Sequence, residues 1–154
     1  GDFVKVVSSG TIERSAVTTA VVAGTLGIFV GCSYTDPSTS QLTFNQQFPA
    51  DTAASDIMAY VVDDPKLIFR MQGDEAIAQT GLGNNVSAVN TAGSTSIGRS
   101  KNALDGGSVA TTNTLPLRIL EFVDGPTSTV GDTYTDCLVT YLPLSHAYET
   151  KLGV

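Results

Sequence analysis

The stretch DIMAYVVDDPKLIFRMQGDE, Asp56–Glu75, decides how the chain is read. Two apolar arms, IMAYVV and KLIFRM, flank Asp63, Asp64 and Pro65. Pro65 fixes its own φ, removes a backbone donor and biases Asp64 towards extended geometry. Asp is itself a turn former, because its carboxylate bonds the local backbone. The arms therefore read as two strands of a hairpin, with the acidic pair at the corner between them. Catalysis by such a pair requires both carboxyls to face one substrate. Adjacent residues of a strand point to opposite faces, so Asp63 and Asp64 share a site only if the turn bends them together. A corner is the expected role, with a weak divalent-ion contact as the alternative.

Working outward, short apolar runs alternate with turn chemistry along most of the chain. FVKVV (3–7) is broken by SSG before TIE. GIFVGCSYT (27–35) predicts a strong strand, with Ile28, Val30 and Cys32 on one face and Phe29, Gly31 and Ser33 on the other. DPSTS (36–40) is a turn cluster, and QLTFN returns from it to complete a hairpin. LPLRILEFVD (115–124) and TDCLVTYLPL (135–144) form a further pair across the loop GPTSTVGD. Brief helices fit at TAVVAG (19–24) and GNNVSAVNTA (83–92), neither of which carries a long 3.6-residue apolar repeat. Thr91 to Asn113 is mostly Ser, Thr, Gly, Asn and Ala, with single apolar residues at Ile97, Leu104 and Val109. It reads as a long surface loop or as small-residue strands packed closely on something else. The expected fold is all-β: one domain over 1–154, a compact antiparallel β-barrel or β-sandwich with long loops and at most short helices.

Composition narrows the function classes. Charged residues make up 15% of the chain, well below the usual quarter, and Thr, Ser, Gly, Asn and Val take their place. β-Branched residues suit a pleated surface better than a helix. The net charge is −7 with eight basic residues, too few and too scattered for a phosphate-binding stripe, so neither nucleic acid nor an anionic membrane is an expected partner. No run reaches the ~20 apolar residues of a transmembrane helix. The start, GDFVKV, has no initiating Met and no basic segment ahead of an apolar one. No signal peptide is expected, and the chain is expected to be processed or part of a longer product. Cys32 and Cys137 lie far apart inside apolar runs and read as buried free thiols, consistent with a reducing compartment. With two Cys and one His, a four-ligand zinc site cannot be gathered.

The remaining chemistry is sparse. His146 follows Ser145 in PLSHAYE, but adjacent side chains do not converge as nucleophile and base, and a surface histidine is expected. GSTSIG (93–98) lacks the G-x-S-x-G spacing, and GLGNNV (81–86) is not GxGxxG. NVS (85–87) matches a glycosylation acceptor that matters only on secretion. GDE (73–75) and LDGG (104–107) could touch calcium but lack the dense alternating acids of an EF-hand loop. An enzyme would have to draw on Asp51, Asp63, Asp64, Asp74, Glu75 or His146, and no spacing favours any of them. No catalytic, cofactor-binding or metal residue is assigned. Phe44 and Phe48 in TFNQQFPAD bracket two glutamines and end at Pro49. They read as core aromatics at a strand end or as a contact patch, since interfaces favour aromatics beside polar rims. With Phe3 and Val4 from the N-terminal segment, Phe44, Phe48 and Pro49 make up the expected protein interface.

Several phrases together carry a resemblance: GDFVKVVSSGTIE (1–13), LGIFVGCSYTDPSTSQLTFNQQFPA (26–50), IMAYVVDDP (57–65), TAGSTSIGRSKNALD (91–105) and LPLRILEFVDGP (115–126). Over most of its length the chain resembles tailed-bacteriophage virion structural proteins similar to capsid decoration, or cement, proteins. The resemblance implies a small β-rich body without cofactors on the outer surface of the virion, assembled in the host cytoplasm. The implied partners are the major capsid protein and the chain itself, as a homotrimer or alternatively a dimer. It also implies an N-terminal stretch, absent here, ahead of GDFVKVV. The alternative within virions is a tail, collar or host-recognition component in which 91–113 binds carbohydrate. Few aromatics and no Trp weigh against sugar stacking.

Overall fold

The structure, a computed structural model, describes residues 1–17 and 24–149. Eleven short strands run β1 (Phe3–Val6), β2 (Ile12–Arg14), β3 (Thr25–Thr35), β4 (Leu42–Asn45), β5 (Met58–Val62), β6 (Ile68–Gln72), β7 (Asn85–Val86), β8 (Ala88–Val89), β9 (Ala103–Leu104), β10 (Leu117–Phe122) and β11 (Asp136–Tyr141). Single 3-10 turns at Gln79–Gly81 and Gly106–Ser108 are the helical elements among the described residues, and no described helix is long and apolar enough to cross a membrane. The strand pairs are antiparallel, and the fold is all-β, as expected.

One sheet, called sheet A here, has the order β2-β1-β3-β4, with β5 on the other side of β3. A second, sheet B, has the order β6-β11-β10-β7, and β8 and β9 form a two-stranded ribbon. Sheets A and B are separate and stack as a sandwich. Of the two architectures expected, the barrel is not formed.

The decisive stretch behaves differently from the hairpin expected of it. β5 pairs with β3 in sheet A, whereas β6 pairs with β11 in sheet B. Asp63–Lys66 is therefore a corner at which the chain leaves one sheet for the other. The turn chemistry is as expected: Asp64 Oδ1 accepts the Lys66 amide at 2.8 Å and the Asp64 carbonyl accepts the Leu67 amide at 3.1 Å. Local chemistry sets the turn, but the choice of partner lies with strands β3 and β11, far along the chain. The two hairpin-like pairs elsewhere do form. β3 and β4 close around Asp36, whose Oδ1 accepts the Ser38 amide at 2.7 Å, and β10 pairs with β11.

β3 is the longest described strand and corrects a second expectation. Its pairing with β5 shifts register between Phe29 and Gly31, so Val30 is an extra residue. The bulge inverts the alternation. Ile28 packs on the core, while Cys32 faces the opposite side and Val30 is half exposed. At 83–92, where a helix was expected, Val86 pairs with Leu117 and Ala88 with Leu104. Tertiary pairing of two buried residues overrides a weak local preference. The other site, 19–24, lies outside the described residues apart from Gly24. The 91–113 stretch is largely irregular, but it inserts the fully buried Leu104 through β9.

The core lies where the start of sheet A meets the inner face of sheet B. Phe3 stacks edge-on to Phe69 at 5.9 Å and to Tyr141 at 6.2 Å, and those two rings lie 5.4 Å apart. Around them pack Ile77, Val86, Leu104, Leu117, Ile119, Cys137 and Val139. Among the strand residues of sheet A, Phe3 and Ile28 join this core. The far half of the sheet, residues 31–35 of β3 with β4 and β5, projects beyond sheet B as a three-stranded blade.

Candidate interaction surface

Register determines what each face of the blade carries. Ser33 of β3 stands between Phe44 of β4 and Met58 of β5, while Thr35 stands opposite Leu42 and Gly31 opposite Tyr60. Side chains two apart in a strand share a face, so Leu42, Phe44, Met58 and Tyr60 lie together. The Tyr60 hydroxyl reaches across β3 to Ser33 Oγ at 2.9 Å. Ser33 is thereby buried, yet Leu42, Phe44 and Met58 are each more than 60% exposed. This face of the blade is apolar and uncovered by any described residue.

The opposite face is covered. Asn45 Nδ2 donates to the Tyr34 hydroxyl at 2.8 Å, Phe48 stacks edge-on to Tyr34 at 6.5 Å, and Cys32 Sγ donates to the Gln47 carbonyl at 3.5 Å. Gln47 Nε2 in turn donates to the Thr95 carbonyl at 3.3 Å, tying in the small-residue loop. Gly98 packs so close to Gln47 that a Cβ there would lie 2.9 Å from Oε1. Between these segments and β1–β2 runs a groove of about 800 Å³, lined among others by Arg14, Gln46, Gln47, Phe48, Thr95 and Arg99. At the blade tip Asp56 accepts the Thr35 amide (3.1 Å) and hydroxyl (2.6 Å), and these bonds hold its carboxyl below the usual carboxylate range.

The interface residues expected from sequence separate on this framework. Phe3 and Val4 are buried in the chain's own interior and are not available to a partner, because the apolar alternation of β1 faces sheet B on one side and the groove-side segments on the other. Phe44 and Phe48 are both exposed, but on opposite faces of the blade. Pro49 is half-buried beside Phe48, its carbonyl accepting the Thr52 hydroxyl at 3.0 Å. Leu42, Met58 and Tyr60 were missed. Their alternation is visible in QLTFN and IMAYVV, but the same pattern marks a face turned to a core.

The titratable residues do not converge on a reaction centre. Asp63 accepts the Tyr148 hydroxyl at 2.6 Å, a bond that raises the phenol above its ordinary value, while Asp64 serves its own turn. His146 is fully buried, not at the surface as expected. The segment around it is zipped to the start of β3 by bonds from the Thr25 amide to Ser145 and from the Ala147 amide to Thr25. Its ring sits edge-on between Tyr141 and Tyr148, and its Nδ1 accepts the Tyr148 amide at 3.3 Å. Ser145 Oγ and His146 Nε2 bond neither to each other nor to any other group, so no nucleophile–base pair exists there. Both thiols are buried and unpaired, as expected. Burial, with Asp136 alongside, pushes Cys137 up to about 11, and burial also raises Cys32.

The two weak calcium motifs do meet. Carboxylate oxygens of Asp74, Glu75 and Asp105 lie within 4.8 Å of one another and could hold a hard cation. Their placement is accounted for by bonds from the Gly106 amide to Asp74 (3.1 Å) and from Ser87 to Asp105 (3.2 Å). Comparison with known proteins finds no matching family model, no matching curated protein and no matching solved structure.

Proposed function

We propose that this chain is a capsid decoration protein of a tailed bacteriophage, which binds the outer surface of the major capsid protein lattice and stabilises the mature head. It works by binding and carries out no reaction. The observation that supports this most directly is the contiguous apolar face on a β-sheet blade; the candidate acids that do meet, Asp74 and Glu75 with Asp105, are placed by local loop bonds. A cement protein needs a rigid body, a surface for its own kind and polar surfaces elsewhere. A β-sandwich with net charge −7 has the rigidity and keeps a dense array soluble. Contacts to several shell subunits would act multivalently, each becoming intramolecular once the first has formed.

The test is quantitative mass spectrometry of purified virions. A ratio to the major shell protein within a small factor of unity is expected, and shells lacking the chain should lose resistance to heat and DNA pressure. Absence from particles would end the reading. A handful of copies would favour the second reading, a tail or host-recognition component. That reading draws on the groove, where amide and guanidinium donors of Gln46, Gln47 and Arg99 lie beside Phe48, a combination suited to polar ligands such as carbohydrate.

A further inference from the structure

We infer that the bare face of the blade is the contact between two copies of this chain, packed face to face about a twofold axis. The inference concerns the chain in solution and does not depend on the capsid reading. Leu42, Phe44, Met58 and Tyr60 are 63%, 66%, 63% and 45% exposed, and large apolar side chains gathered on one exposed face mark an interaction surface. A standard interface takes about 800 Å² from each partner, and homodimer interfaces are roughly two-thirds apolar. Four large apolar side chains on one face supply the apolar centre that such an interface needs.

Charge permits the same occupant. Neither Leu42–Asn45 nor Met58–Val62 contains Asp, Glu, Lys or Arg, so the centre of the face carries no charge, and the Asp56 carboxylate bonded to Thr35 stands at its rim. The Tyr60 ring, held by its bond to Ser33, is a fixed aromatic anchor and loses little freedom on burial.

A twofold contact needs no surface other than this patch. A threefold ring needs two different complementary surfaces, whereas a twofold contact uses one surface twice. Of the other exposed apolar side chains, Phe48 and Ile57 lie together along the groove, on the far side of the blade. Ile68 shares a row with Thr140 and Arg118 on the outer face of sheet B, Ile97 lies on the small-residue loop, and Tyr148 is bonded to Asp63. Two sheets stack at about 10 Å, a spacing at which Phe44 and Met58 on either side of Ser33 interleave with their counterparts. Of the homotrimer and the dimer implied by the resemblance, the inference takes the dimer.

Sedimentation equilibrium on the full chain, from about 0.1 to 100 µM, tests it. The expected result is reversible association to twice the 16.0 kDa monomer mass. Phe44→Asp and Met58→Asp should each weaken association at least ~100-fold while thermal melting of the dilute protein stays within ~2 °C, because both positions are exposed in the monomer. Phe48→Asp, on the other face, should leave association unchanged. Wild-type hydrogen exchange adds a readout free of folding effects: residues 42–45 and 58–62 should gain protection as concentration rises. A monomer at 100 µM, a trimer mass, or a dimer indifferent to both blade substitutions would each overturn the inference.

Discussion

Phe3→Ala separates the structure most sharply from the sequence reading, which placed Phe3 at a partner interface. Phe3 is 2% exposed and carries the ring that joins sheet A to Phe69 and Tyr141 of sheet B. Truncating a buried Phe costs about 3–5 kcal/mol through lost transfer energy and the cavity left behind. The two edge-to-face contacts, worth about 0.5–1.5 kcal/mol each, place this site in the upper half of that range. Against a total stability of 5–15 kcal/mol for a typical domain, a loss of about 4 kcal/mol removes a large share. At about 2–4 °C per kcal/mol for a chain of this size, Tm should fall by about 8–16 °C. The assay is thermal and urea unfolding followed by circular dichroism at about 1 µM, with Phe44→Ala as the matched control. Phe44 is 66% exposed, so its truncation should stay within about 0.5 kcal/mol of wild type. Equal, small effects at the two positions would refute the claim that Phe3 anchors sheet A on sheet B.

Three further outcomes are expected. Neither thiol of the folded protein should react with a disulfide reagent at pH 8, since burial raises both above their ordinary value, whereas both should react in 6 M guanidinium; rapid native labelling would contradict the burial. Asp56→Asn should loosen the blade tip at neutral pH, read as faster amide exchange at Thr35. Because the folded carboxyl is held low by Thr35, its stabilisation is complete above the ordinary carboxylate range and is lost as pH falls through the lowered value; variant and wild type should therefore converge in acid, and a difference that persists there would rule out the charge as the cause. Gly27→Ala should destabilise by at least ~2 kcal/mol in urea titration, since its Cβ would lie 2.1 Å from the Val62 carbonyl oxygen and force β5 away from β3; a neutral substitution would mean that β5 is not held there.

Much of the local structure was legible because it is written in nearest-neighbour chemistry. The Asp36 turn, the Asp64–Pro65 corner, the β10–β11 pair and the buried thiols all follow from spacing, β-branching and turn residues. The errors share one physical origin. A β-strand specifies which residues share a face, but its hydrogen-bonding edges accept any partner of suitable register. The chain after Asp63 can return along β5 or cross to β11, and nothing within Asp56–Glu75 distinguishes the two. The bulge at Val30 likewise depends on how β3 matches β5, and it moves Cys32 to the face opposite Ile28.

The candidate surface was half legible for the same reason. Phe44 was singled out because interfaces favour aromatics beside polar rims, and the structure adds that it is exposed. Phe3 and Val4 were misassigned, and Met58, Tyr60 and Leu42 were passed over, because an apolar alternation reads identically whether its face meets a sheet or projects past one. The all-β class, the turns, the net negative charge and the lack of spaced catalytic motifs are legible in the chain alone, because each is a property of composition or of residues a few positions apart. Which sheet each strand joins, that His146 is interior, and that half of sheet A carries an apolar face uncovered by any described residue emerge only in three dimensions. Those depend on contacts between residues tens of positions apart, whose energies no local pattern encodes.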